Sequence, residues 1–402
     1  VGLPRPTAYL HAALITGMVF LLIGFLDLVT FNSHYFAPFN NGIRDYEVTD
    51  ILFSQLRDPE QVKRENRVVL VHVSKFDRSQ IGELLDRIAS QSPAVIGVDI
   101  LFPEPQEPAG DYVLAASIAA HRDLIVLAAN LLPFDADRAG IPGIRTSDSL
   151  FSAGVESAYT NFLSGTDYTI RLFSPFISTL NGERHDAFAV ALARRYTPER
   201  VGKLAWRRGD RPLRINYSGD YRGFLRVDGQ TVLDSDDPEA LVVFRDRIVI
   251  VGFIDSRQPD APMEDRYFTP LNPTYTGRSL PDMYGAVIHA NIVSMLLDGR
   301  YIYELPNWLV TLMVIVFTYI NVVVIHWIYH NLPDSYHGVT RIMQLVELFL
   351  LFFLVALLFY YFRLKIDFTV GFLALVVAYD MVMIYESFIR KRIPYLNASD
   401  HD

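Results

Sequence analysis

Asp99 stands near the C-terminal end of an apolar run, Ala94 to Leu101, and Asp255 follows a second such run, Arg247 to Phe253. Open α/β sheets receive their ligands outside the carboxyl ends of the strands, so these two acids, with Glu104 and Asp265, could border a pocket. The Asp99 carboxylate could instead cap a loop or helix by accepting backbone N–H bonds. Arg171 follows Asp167 and Tyr168, and its guanidinium suits a bidentate grip on a carboxylate or phosphate ligand, or an ion pair with a loop acid. His289 lies with Asn291 in a run of helical spacing, Tyr284 to Leu297, whose apolar stripe is Ala286, Ile292, Val293 and Leu296. An imidazole with an ordinary pKa near 6.5 there could sense pH; the alternative is a hydrogen-bonded core histidine. No second His, Asp or Glu stands three or four residues from it, so no metal is expected at that helix.

A second set of ionisable residues, His326, Glu347 and Asp380, falls inside long apolar stretches. An acid in hydrocarbon costs about 2.5 kcal/mol or more, so these groups are expected to face other helices or a partner. Glu347 and Asp380 reach similar depth in antiparallel helices, with His326 near a helix end, and could form a proton or ion path. Interhelical hydrogen bonds to Asn321, Tyr379 or Thr318 would serve as well. His11 and Asp27 lie near opposite ends of the first stretch and add no continuous relay. The chain contains no glycine-rich phosphate loop, no HExxH and no nucleophile elbow. Catalytic residues, cofactors and bound metals are therefore not expected, and the protein reads as a non-enzyme.

Four apolar stretches frame these residues: Tyr9 to Phe31, Trp308 to Ile328, Ile342 to Phe362 and Phe368 to Ile389. Each is long enough to cross a hydrocarbon core of roughly 30 Å, and in lipid only a helix satisfies its own backbone. The expected division is a first helix at 9–31, an outer domain at 32–304, further helices at 305–328, 342–362 and 368–389, and a tail at 390–402. The first helix reads as a retained anchor, because it exceeds a signal-peptide core and the bulky Asn32-Ser33-His34-Tyr35-Phe36 follows it. Arg390, Lys391 and Arg392 directly after the last stretch place the C-terminus in the cytoplasm by the positive-inside rule. Four crossings return the N-terminus, with Arg5, to the same side and leave residues 32–304 outside.

Composition fits such a mixed object, with 51% hydrophobic and 13% aromatic residues. A net charge of −9 argues against nucleic acid as a partner. The absence of cysteine excludes disulfides and thiolate chemistry, so the outer domain must hold together through its core. Membrane lipid is one expected contact of the chain.

Within the outer domain, strand and helix alternate. Arg67 to Val73 and Ala94 to Leu101 are short β-branched runs, separated by helical spacing over Gln80 to Gln91. A helix around Tyr112 to His121 and a strand at Leu124 to Ala129 follow. Two such units in succession predict an α/β domain with a mainly parallel sheet and right-handed crossovers. Phe134 to Asp148 reads as a loop or insertion. A helix is expected at Asp186 to Arg195, with strands at Leu213 to Tyr217 and Arg247 to Phe253 and an acidic, proline-rich loop after them.

These segments resemble the bacterial extracytoplasmic sensor domain CHASE2. Gly97-Val98-Asp99-Ile100-Leu101-Phe102 with Glu104-Pro105 and Asp111 carries the likeness. So do Asp167 to Leu172, Leu213 to Tyr217, Ile248 to Gly252, Asp265 to Pro270 and Gly285 to Leu297, in family order. One helix before the domain and three after it also match a typical arrangement of that family. In two respects the chain departs from the pattern: Val73 is followed by Ser74-Lys75-Phe76-Asp77-Arg78 with no tryptophan, and no kinase or cyclase sequence follows the last helix. The resemblance implies a bacterial inner-membrane sensor that passes a cue or docking event to a separate protein effector, with homo-oligomerisation open. The alternatives are a structural subunit of a membrane complex and a proton- or ion-coupled component.

Overall fold

The computed structural model describes residues 6–32, 64–73, 75–164, 168–237, 239–254, 265–272 and 280–392. Asp255 lies outside them. The chain divides into two compact units, residues 50–302 and residues 1–49 with 303–402.

The 50–302 unit is built on a seven-stranded sheet. Its strands are β1 (Glu65–His72), β2 (Val95–Val98), β3 (Ile125–Leu131), β4 (Ile144–Arg145), β5 (Glu156–Tyr159), β6 (Phe224–Asp228) and β7 (Ile248–Gly252). Six run parallel in the order β6-β1-β7-β2-β3-β5, and β4 pairs antiparallel with the end of β3. The sheet is thus mixed and mostly parallel. β7 enters between β1 and β2, with Val68 opposite Ile248 and Ile248 opposite Val95.

Helices cover both faces, which is why the central strands read as unbroken Val and Ile runs. On one face Val69, Val71, Ile96, Val98, Val249 and Val251 form a core with Leu84, Leu85 and Ile88 of helix Arg78–Ala89 and Leu114 and Ile118 of helix Pro108–Ala120. Asp77 and Gln80 form a capping box that starts the first of these helices. The opposite face meets helices Phe188–Tyr196 and Gly285–Asp298. Gly97 makes that packing possible, because a Cβ there would stand 2.7 Å from Phe188 Cζ and 2.8 Å from a Leu192 methyl. All of helix Gly285–Asp298 from Gly285 to Leu297 is buried, so its apolar surface surrounds it instead of forming the expected stripe. The Leu213–Arg214 strand belongs to a separate three-stranded sheet with Ile170–Phe173 and Leu163–Ser164.

Among the described residues the other unit contains four helices long and apolar enough to cross a membrane: Thr7–Leu26, Asn307–Asn331, Pro333–Phe362 and Thr369–Arg392. The third starts earlier than its apolar run, as Tyr336 and Thr340 are buried in the bundle. The fourth contains a π turn, Tyr385–Ile389. Leu345, Phe349, Leu350 and Tyr361 of the third helix are all more than 60% exposed, an outward surface suited to lipid.

Candidate functional site

Past their last residues, β2, β3, β5 and β7 surround a cavity of about 430 Å³. Asp99 follows β2, Asn130 lies in β3, Thr160 to Phe162 follow β5 and Phe253 follows β7. Gly285, Ala286 and His289 close it from helix Gly285–Asp298. Asp265 and Tyr267 complete the wall. They are held there by an antiparallel pair, Arg266–Tyr267 on Met283–Tyr284, and the Gly285 N–H donates to the Asp265 carbonyl at 3.2 Å.

Asp99 lies deep in the domain but keeps part of its surface open to this space. Among the described residues no group donates a hydrogen bond to its carboxylate, so the capping role is not what the structure shows. Burial, aided by the nearby Asp265 charge, pushes its pKa up to about 7. An acid raised in this way binds a proton in the native state that the unfolded chain has released, so its contribution favours folding at low pH and is lost as pH rises through 7. Asp265, Tyr267 and His289 are the described ionisable groups around it. Asp99→Asn should therefore raise stability at pH 8 by about 1–2 kcal/mol, less than the whole shift implies because the carboxyl meets open space, and leave it unchanged near pH 4. Thermal melts of both proteins at the two pH values measure this, and equal melting at pH 8 would contradict it.

His289 is 2% exposed and packs between Phe162 and Phe188, with ring centroids at 4.6 and 5.1 Å. Among the described residues, the Thr160 backbone is the polar group that acts on the ring, at the margin of hydrogen-bonding geometry. Burial drives its pKa down to about 3, with the Thr160 backbone offsetting a little. The imidazole therefore stays neutral at physiological pH, which corrects the expectation of a pH sensor: burial without an acid beside the ring removes the charged form. It is a core histidine, held between aromatic rings.

The structure brings together Asp99, Asp265 and His289 and separates the other candidates from them. Glu104 is exposed in the loop after β2, where its carbonyl accepts from Arg78. Arg171 lies in the Ile170–Phe173 strand, away from the cavity wall. The sequence reading missed Thr160, Phe162 and Tyr267. A signal existed for the first two, since they follow a strand end as Asp99 does, but Glu156–Tyr159 is too polar to be read as a strand.

In the helical unit His326, Glu347 and Asp380 do not meet. Asn321 donates to Glu347, and Asp380 is half exposed, 3.4 Å from Arg341. These contacts run between helices, and among the described residues they do not link the three groups. His326 instead joins a buried cluster around Glu386, with Nε2 2.8 Å from a Glu386 oxygen and Arg390 3.1 Å from the other. His11 bonds Tyr385 at 2.6 Å and stacks at 5.9 Å on His326. The π turn widens the helix so that consecutive Tyr385 and Glu386 both face inward. His326, His330 and Glu386 present ligand atoms within 4.8 Å of one another, a set for which the four-residue spacing of the two histidines was a legible signal. Arg390 lies 3.1 Å from His330 Nε2 as well, so a fixed positive charge sits where an ion would, and the donor set does not suit a cation.

A mostly parallel sheet with a concave site at its strand ends, followed by long apolar helices, defines an α/β domain joined in sequence to apolar helices. The CHASE2 domain model matches residues 58–324, and the chain belongs to that family of extracytoplasmic sensor domains. The match continues beyond residue 304 into helix Asn307–Asn331. No curated protein and no solved structure matches the chain.

Proposed function

We propose that this protein is a non-catalytic receptor of the bacterial inner membrane, with residues 32–304 outside and both termini in the cytoplasm. A small ligand enters the cavity beside Asp99, and the ligand-bound and free states differ in the placement of helix Gly285–Asp298. The observation that carries this reading is the position of that helix. Its first turns form the cavity wall, and only residues 299–306 separate its last residue from helix Asn307–Asn331. A ligand moves such an element only by binding its two states with different affinity, which groups on the helix itself can supply. Signal output then falls to a separate protein effector, and the basic Arg390-Lys391-Arg392 supports the cytoplasmic placement of that end.

Gly285 offers the test. A Cβ there meets Tyr267, Asp99 and Phe162 at 3.6–3.7 Å, ordinary contact distances, so a larger side chain can grow into the cavity without breaking the helix. Gly285→Leu should abolish ligand-induced stabilisation in a thermal-shift panel of small anions, neutral compounds and cations on the full chain in detergent. If no compound stabilises wild type more than this variant, the cavity is not a receptor site.

A further inference from the structure

We propose that the cavity accepts a small organic cation, an amine or quaternary ammonium group lodged between the Asp99 carboxylate and the aromatic rings of Phe162 and Tyr267. This rests on the cavity being the ligand site and adds the chemical class of what fills it.

Charge decides first. The described wall carries two carboxyl groups, Asp99 and Asp265, and no lysine or arginine. Among the described wall residues an anion meets the Asp99 carboxylate and no cationic side chain, while a neutral molecule leaves that carboxylate desolvated. A cation removes that cost. The aromatic lining points the same way, because Phe162 and Tyr267 stand edge to face at 5.3 Å and a ring face attracts an ammonium group through its quadrupole.

The neutral His289 is consistent with this. Its ring is buried against Phe162 and uncharged, so it adds no positive charge to the wall. A zwitterionic amino acid fits less well, since no described wall residue carries a positive charge to pair with its carboxylate. The volume, about 430 Å³, lies within the roughly 300–1,000 Å³ of small-ligand sites.

An isosteric series tests the class. Phenylethylamine, phenylethanol and phenylacetate, with choline as a quaternary probe, are titrated calorimetrically into the full chain in detergent at pH 8. Phenylethylamine and choline should bind, and the neutral and anionic analogues should bind at least about tenfold more weakly. Asp99→Asn should weaken the amine by about tenfold or more and leave phenylethanol unchanged; melting curves confirm that the variant is folded. Equal binding of phenylethanol or phenylacetate would overturn the cation assignment and leave the cavity reading in place. Failure of both cations to bind would also overturn it, while the Gly285→Leu panel judges the cavity separately.

Discussion

Replacing Asn291 by leucine should lower the stability of the sheet domain by about 3 kcal/mol. Asn291 is fully buried, and its side-chain oxygen accepts from the Ser218 N–H at 2.7 Å, the Ser218 hydroxyl at 2.9 Å and the Gly219 N–H at 3.2 Å. Its amide donates to the Gly219 carbonyl at 2.9 Å. One side chain thus satisfies the backbone of a loop that has no strand partner there, and clamps it to helix Gly285–Asp298. Leucine of similar volume leaves these groups orphaned at about 1–3 kcal/mol each, and partial solvent access to Ser218 and Gly219 reduces the total. For a domain of this size that corresponds to a fall in melting temperature of about 6–12 °C. Asn291→Asp, which keeps the acceptor and loses the donor, should fall between the two. A leucine variant melting within about 2 °C of wild type would remove the clamp from the account.

The second large effect is expected in the helical unit. Glu386→Ala takes away a buried carboxylate that pairs with Arg390 beside His326 and His330. Removing one member of a buried ion pair costs about 3–5 kcal/mol, whereas replacing both members by apolar groups is often neutral. The double variant Glu386→Ala with Arg390→Met should therefore regain at least about half of the lost stability. Thermal unfolding of the three proteins in micelles measures the coupling, and a double variant no more stable than Glu386→Ala would show that the cluster is not held by this pair.

The two strands read most directly from sequence, β1 and β7, are buried on both faces, so their Val and Ile content is continuous. β6, Phe224–Asp228, escaped because it is an edge strand with alternating exposure and two charged residues. Helix Pro198–Arg208 escaped for a related reason: its charged face outweighs a narrow buried one, Val201 and Leu204. In the site, Asp99 and His289 were legible from position alone, one after a strand and one in an apolar helix. Their state was not. Nothing in the local sequence says that His289 lies between two phenylalanines, one of them about 127 residues earlier in the chain, or that Asp99 lacks a donor. Glu104 was misplaced because the Phe102 N–H bonds to Ser147 Oγ and the following residues run out to solvent. In the apolar helices the identity of polar partners depends on helix rotation and register, so Glu347 could be matched to Asn321 while Glu386 went unnoticed.

The insertion of β7 between β1 and β2 has a consequence for how the chain reaches its native state. β2 and β3 can pair soon after synthesis, but Val68 finds its partner in Ile248, 180 residues later. The sheet has high contact order, and its centre stays open until that late segment arrives. A nascent or proteolysed chain ending before Ile248 would expose the flanks of β1 and β2 to one another or to other chains, a setting for misassembly. β7 gives β1 and β2 their missing neighbour and helix Gly285–Asp298 adds part of the sheet's cover, so the domain should fold late and as one cooperative event.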